Sequence, residues 1–138
     1  MLLKKSMIAV ALAALWMIEP AAPVMAQEAQ PAVMGDATAG ARVFLRCRAC
    51  HQVGEKARNL VGPTLNGIIG RPAAMAEGYT YSKPMKESGI IWDEATLTEY
   101  LRDPSGRVPG TRMSLPGGLK KDKDIQDIIA YLKQFQDK

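Results

Sequence analysis

Two stretches of this chain carry too many apolar side chains for disorder and too little periodicity for helix or strand. Residues 51–82 show no sustained spacing of 3.6 or 2. Residues 104–121 are interrupted by Pro104, Gly106, Pro109, Gly110, Pro116, Gly117 and Gly118, a density of breakers that no regular element tolerates. Loops longer than about 12–15 residues are uncommon in compact domains unless they are functional or disordered. These two contain Leu60, Val61, Leu65, Ile68, Ile69, Val108, Met113 and Leu115, which is more apolar surface than a disordered segment carries.

The regular parts cannot cover that surface. A helix is expected over residues 37–47, capped by Asp36, with Val43 and Phe44 apolar and Gly40 marking a face that another helix approaches closely. A second begins at Asp93, sets Leu97, Tyr100 and Leu101 on one side, and stops at Pro104. The third starts near Asp122 and repeats Ile125, Ile128, Ile129 and Leu132 at i, i+3, i+4, i+7, the spacing of an amphipathic helix. A short helix is possible around residues 84–88. The expected fold is therefore all-α, three main helices plus long loops, and the loops need a large apolar ligand to wrap. Periodicity alone does not say which ligand.

The first residues belong to a different problem. Lys4 and Lys5 precede an unbroken apolar run over residues 7–18, which Glu19, Pro20 and Pro23 end before the small-residue exit at Ala26. That order is the mark of a secretory signal peptide, expected to be removed after residue 26. The alternative, an uncleaved membrane anchor, needs roughly 20 apolar residues, and this run stops short of that. Residues 27–35 read as a loose, flexible tail, and 36–138 as one domain. The net charge of +4 on 138 residues falls to +3 once Lys4, Lys5 and Glu19 are gone. That mild basic excess favours acidic partners. Nucleic acid is not expected, since no recognition motif is present and an exported chain rarely meets it.

Only two cysteines occur, Cys47 and Cys50. An exported chain would ordinarily pair them, but a disulfide across two residues closes so short a loop that it constrains the unfolded chain little. Another use is indicated. Cys47-Arg48-Ala49-Cys50-His51 has the C-x-x-C-H form of a haem-attachment site. Two thiols about one helical turn apart can add to the two vinyl groups of a haem, and the next residue then offers its imidazole to the iron. His51 is the single histidine of the chain. A ligating imidazole is usually held through its other ring nitrogen by a carbonyl or carboxylate, and the turn at Gly62-Pro63 is the natural source. The second axial ligand has to come from the other loop. Of the eight methionines, Met113 alone sits within 104–121, whereas Met34 lies in the tail and Met75 and Met85 belong to the first loop region.

With these residues in view the chain resembles a class I c-type cytochrome, close to the bacterial soluble relatives of mitochondrial cytochrome c. The resemblance runs from residue 35 to about residue 135. It is carried by Gly35-Asp36, Gly40 and Phe44 ahead of the C-x-x-C-H motif, by residues 61–67, by Gly70-Arg71, and by Gly78 through Ser82. It continues with Ser88 through Trp92, residues 97–104, the Met113 loop and the helix at 127–133. It implies the small cytochrome c fold around one covalent haem c per chain, with Cys47 and Cys50 as thioethers, His51 and Met113 as axial ligands, and Pro63 accepting from His51. Arg71, Tyr81, Ser82 and Trp92 match positions like those that bind the haem propionates, and Tyr100 and Thr111 match positions near the methionine sulfur. Two departures stand out. Phe44 precedes Cys47 by three residues, one fewer than in the mitochondrial form, and Met85 stands where mitochondrial members usually place an asparagine.

The function so implied is a soluble, monomeric, periplasmic one-electron carrier rather than an enzyme. Iron ligated on both faces leaves no open position for a substrate. A quinol–cytochrome c reductase is the expected donor and a terminal oxidase or photosynthetic reaction centre the acceptor. Lys56, Lys83, Lys86, Lys120, Lys121 and Lys123 are candidates for a ring that steers acidic partners. The rival readings are a haem peroxidase or gas-binding haem protein with a labile Met113, a thiol–disulfide oxidoreductase, which would need a low-pKa thiol, and a structural zinc site, which two Cys and one His leave incomplete.

Overall fold

The computed structural model describes residues 34–136; the expected signal peptide and almost all of the expected tail lie outside them. Five helices form among the described residues: α1 (Ala37–Phe44), α2 (Lys83–Glu87), α3 (Glu94–Arg102), α4 (Pro104–Arg107) and α5 (Asp122–Leu132), followed by a 3₁₀ turn at Lys133–Phe135. No strand forms among them, and extended backbone meets only at a bridge between Pro72 and Ile91.

Asp36 caps α1 through its carboxylate, which accepts from the amides of Thr38 at 2.8 Å and Ala39 at 3.3 Å. Expectation and structure part at the other end. The helix stops at Phe44 rather than continuing to residue 47, because the amides of Leu45, Arg46 and Cys47 bond three residues back instead of four. Such i→i−3 bonding tightens a last helical turn. The chain then runs in turns through Cys50, with the amides of Cys50 and His51 both bonding the carbonyl of Cys47 at 3.0 and 2.9 Å.

Pro104 stops α3, as its ring and missing N–H require, but it also starts α4, which periodicity did not reveal. Proline suits the first position of a helix, and Asp103 caps the new one by accepting from the amide of Gly106 at 3.0 Å. One residue pair thus ends one helix and opens the next.

The core sits where α1 crosses α5. Ile125, Ile128, Ile129 and Leu132 are all buried, so the i, i+3, i+4, i+7 face is the buried face of α5. Gly40 makes the crossing possible: a Cβ there would lie 2.0 Å from the carbonyl oxygen of Asp127 and 2.7 Å from Cβ of Tyr131. Beside it the rings of Phe44 and Tyr131 pack 5.3 Å apart, and Tyr131 meets Phe135 at 5.1 Å. Across the outer surface Arg102 of α3 pairs with Asp122 of α5 at 2.7 Å, an exposed contact worth about 0–1 kcal/mol.

Asp127 is the buried charge of this crossing, 3% exposed. Its carboxylate accepts from Lys123 Nζ and, at 2.6 Å, from the amide of Asp36, so α5 satisfies an N-terminal donor of α1. The Lys123 bond, followed by the Asp36 amide, holds the Asp127 carboxyl below its ordinary pKa. A carboxyl with a depressed folded-state pKa adds stability above its unfolded pKa and loses that contribution as pH falls through the folded value. Asp127→Asn is therefore expected to be less stable than the parent at neutral pH. The gap should close as pH drops below about 4, the ordinary aspartate value. Urea melts between pH 3 and pH 7 read this directly; a gap that stays constant over that range would rule the contribution out.

Candidate haem site

A cavity of about 370 Å³ opens between the turn after α1 and the loop before α5, within the ~300–1,000 Å³ that small cofactors occupy. Its walls are mainly apolar, with Leu65, Ile68, Leu97, Leu101, Ile128 and Leu132 among them. The eleven residues singled out from the sequence all line it.

On one wall stand Cys47, Cys50 and His51. Both thiols are free and half-buried, and the i→i−3 turn sets them one turn apart on the same side. Burial pushes the Cys47 thiol up from its ordinary pKa, with Arg46 opposing. That is contrary to what a thiol–disulfide oxidoreductase needs. His51 Nδ1 lies 2.7 Å from the carbonyl oxygen of Pro63. With its Nδ1 proton donated there, the ring carries its lone pair on Nε2, the atom available to a metal. Burial also lowers the His51 pKa, partly opposed by that carbonyl, and so favours the neutral imidazole. Gly62 completes the clamp. Its amide donates to the carbonyl of Cys50 at 2.8 Å, and a Cβ on it would sit 2.4 Å from His51 Cε1. Only a glycine lets the backbone lie against the imidazole. The sequence points to the Gly62-Pro63 turn for the Pro63 carbonyl; the close contact of Gly62 itself with the ring is visible only in the structure.

Met113 lines the same cavity and is half-buried, while Met34 and Met75 are 90% and 65% exposed. Its loop is held by one hydroxyl. Thr111 Oγ1 is 2.8 Å from Tyr100 Oη and accepts from the Met113 amide at 3.3 Å; the Thr111 amide in turn donates to the Val108 carbonyl at 3.0 Å. Behind this loop the same residues 111–115 line an outer cleft with Arg102, Ser105 and Lys120, so the Met113 segment is a thin partition. Met85, on α2, is 7% exposed and lines the cavity with a thioether where a polar residue would have brought hydrogen bonds.

Polar groups also line the cavity. Arg71 donates to the carbonyls of Asn66 at 2.8 Å and Thr64 at 3.2 Å, leaving other guanidinium donors for the cavity. Burial lowers its pKa and raises that of Tyr81, whose hydroxyl accepts from the Ala76 amide at 3.2 Å and keeps its own proton to give. Ser82 Oγ accepts from the Met85 amide at 3.4 Å and is likewise left with a proton. Trp92, 6% exposed, packs its ring 5.0 Å from that of Tyr100. Polar donors such as Arg71, Tyr81 and Ser82 in a mainly apolar cavity suit an apolar molecule that carries anionic groups.

The donor set fits a haem. Two free thiols, a neutral imidazole and a thioether line one mainly apolar space. It does not fit zinc, since among the described residues no three His, Cys, Asp or Glu side chains cluster.

Comparison with known proteins agrees. The model of the family described as Cytochrome c matches residues 37–136. The chain is 53% identical over 106 residues to cytochrome c-554 of Methylosinus trichosporium, covering 77% of this chain and 80% of that one. It is 52% identical over 102 residues to cytochrome c2 of Rhodoblastus acidophilus, covering 74% and 94%. Among solved structures, cytochrome cH from Methylobacterium extorquens superposes with a TM-score of 0.68 at 48% identity, over 72% of this chain and 99% of that one. The chain belongs to the cytochrome c family: it is a class I c-type cytochrome, with haem c as its cofactor and electron transfer rather than catalysis as its role.

Proposed function

We propose that this chain is a soluble periplasmic carrier of single electrons, exported on residues 1–26 and folded over residues 36–138. Cys47 and Cys50 anchor the haem, and His51 and Met113 ligate its iron. One observation supports this above the rest: the two thiols, the imidazole and the Met113 thioether line a single cavity, with His51 Nδ1 fixed 2.7 Å from the Pro63 carbonyl. The haem supplies an iron that accepts and returns one electron. The residues decide how that happens. Pro63 and Gly62 fix the imidazole plane, Thr111 and Tyr100 hold the Met113 segment, and the apolar walls exclude water, which keeps rearrangement between oxidation states small. Arg71, Tyr81, Ser82 and Trp92 pair with the haem carboxylates. No helix among the described residues is long and apolar enough to cross a membrane.

The reading is tested by the spectrum of the chain purified from a host able to attach haem. A c-type spectrum that survives acid–organic extraction, with the weak ferric band of methionine ligation, is expected. A chain without haem from such a host would refute the proposal, and attached haem lacking that band would transfer it to a ligand-binding or peroxidase role.

The proposed partners are a quinol–cytochrome c reductase and a terminal oxidase or reaction centre, docking on a basic surface. Lys56, Lys86, Lys120 and Lys121 are exposed, whereas Lys83 pairs with Glu87 at 3.8 Å and Lys123 with Asp127. Steering by such charges raises association rates by roughly 10- to 1,000-fold and is screened by salt. Stopped-flow electron transfer with an acidic partner should therefore slow at least about tenfold between low and physiological ionic strength. A flat profile would remove the steering role.

A further inference from the structure

The residues after α5 reach back to the segment that precedes Arg71. The side chain of Gln136 donates from Nε2 to the carbonyl of Ile69 at 2.8 Å and accepts at Oε1 from the amide of the same residue at 3.2 Å. One primary amide thus pairs with both faces of one backbone unit, as a neighbouring strand would. Beside it the carbonyl of Phe135 accepts from the Gly67 amide at 2.9 Å. The Gln136 bonds join positions 67 residues apart in sequence.

What they hold is the short segment that carries Arg71. The Arg71 amide bonds the Ile68 carbonyl at 3.2 Å, and the guanidinium reaches back to the carbonyls of Thr64 and Asn66. On its far side the Gly70 amide donates to the Trp92 carbonyl at 2.8 Å, and the Trp92 amide donates to the Arg71 carbonyl at 3.0 Å. The segment is gripped from two sides, by Trp92 and by Gln136. The Trp92 grip belongs to the cavity wall itself; the Gln136 grip comes from outside it.

We propose that Gln136 is a positioning residue for the redox centre, acting through residues 67–71 to fix the guanidinium of Arg71 against the haem carboxylates. The inference rests on the role given to Arg71 above. A cation held close to the haem favours the reduced, less positive state, so a guanidinium free to swing into water lowers the reduction potential. A clasp with no such consequence would leave the potential where it was.

Gln136→Met keeps the side chain's bulk, removes both hydrogen bonds, and leaves the backbone bond from Gly67 in place. Amide exchange at Ile69 in the haem-loaded protein reports whether the clasp is broken. It should quicken about tenfold, the change that loss of one hydrogen bond of ordinary net strength produces. Midpoint potentials are then measured for the parent, Gln136→Met, Arg71→Gln and the double variant. Gln136→Met should lower the potential by less than Arg71→Gln does, and should add nothing in the Arg71→Gln background. An unchanged potential in Gln136→Met, with Arg71→Gln lowered, would overturn the positioning role and leave the role of Arg71 standing. An equal shift in both backgrounds would also overturn it, since Gln136 would not then act through Arg71. If Arg71→Gln itself leaves the potential unmoved, the role of Arg71 fails and the inference falls with it.

Discussion

Met113→Ala is expected to lower the reduction potential by on the order of 0.2–0.4 V, part of the roughly 0.8 V that axial ligands span across haem proteins. A thioether is a soft donor that favours the reduced iron, and its loss leaves that face to water or to another side chain. The weak ferric band of methionine ligation should disappear, while the haem stays attached through Cys47 and Cys50. Met34 and Met75 are exposed, whereas Met85 on α2 is buried and also lines the cavity. Spectroelectrochemistry together with the ferric spectrum measures both effects. A variant that keeps both the band and the potential would show that Met113 is core filler, the ordinary use of a methionine.

Gly40→Val is expected to cost more than about 4 kcal/mol, in the range reached only by substitutions that break a packed core or strain the backbone. The obstacle is a backbone carbonyl 2.0 Å from the new Cβ, which no rotamer change can move aside. Accommodating the side chain means separating α1 from α5. That separation would loosen Phe44 from Tyr131 and detach the Asp127 carboxylate from the α1 amide it satisfies. Thr38→Val, an exposed position in the same helix, serves as the control and should stay within about 0.5 kcal/mol. Chemical denaturation of the haem-loaded proteins makes the comparison. Equal stability in the two variants would mean that the helices part without penalty.

The legible features of the sequence were those that declare themselves within a few residues. The i, i+3, i+4, i+7 face of α5 is the face that is buried, and Asp36 caps the helix it precedes. The C-x-x-C-H motif is compact enough to carry its own chemistry. The cavity residues were nameable for a different reason: resemblance supplied their order, and the structure places Arg71, Tyr81, Ser82, Trp92, Tyr100 and Thr111 around one space. The end of α1 was misjudged by a turn because helix propensity does not register a change from four-residue to three-residue bonding. The short α4 was missed because Pro104 reads as a stop, and a stop and a start share the same residue.

Local spacing therefore determined the three main helices, apart from the end of α1, and the attachment motif, since each depends on contacts within about two turns of chain. Only the tertiary structure decided that Asp127 satisfies the amide of Asp36 and that Gln136 grips Ile69. Those pairs lie far apart in sequence and leave no period behind. They exist because burying the α1–α5 crossing and closing the loops over one cavity bring these side chains within hydrogen-bond reach of distant backbone, where an unpaired donor would be costly.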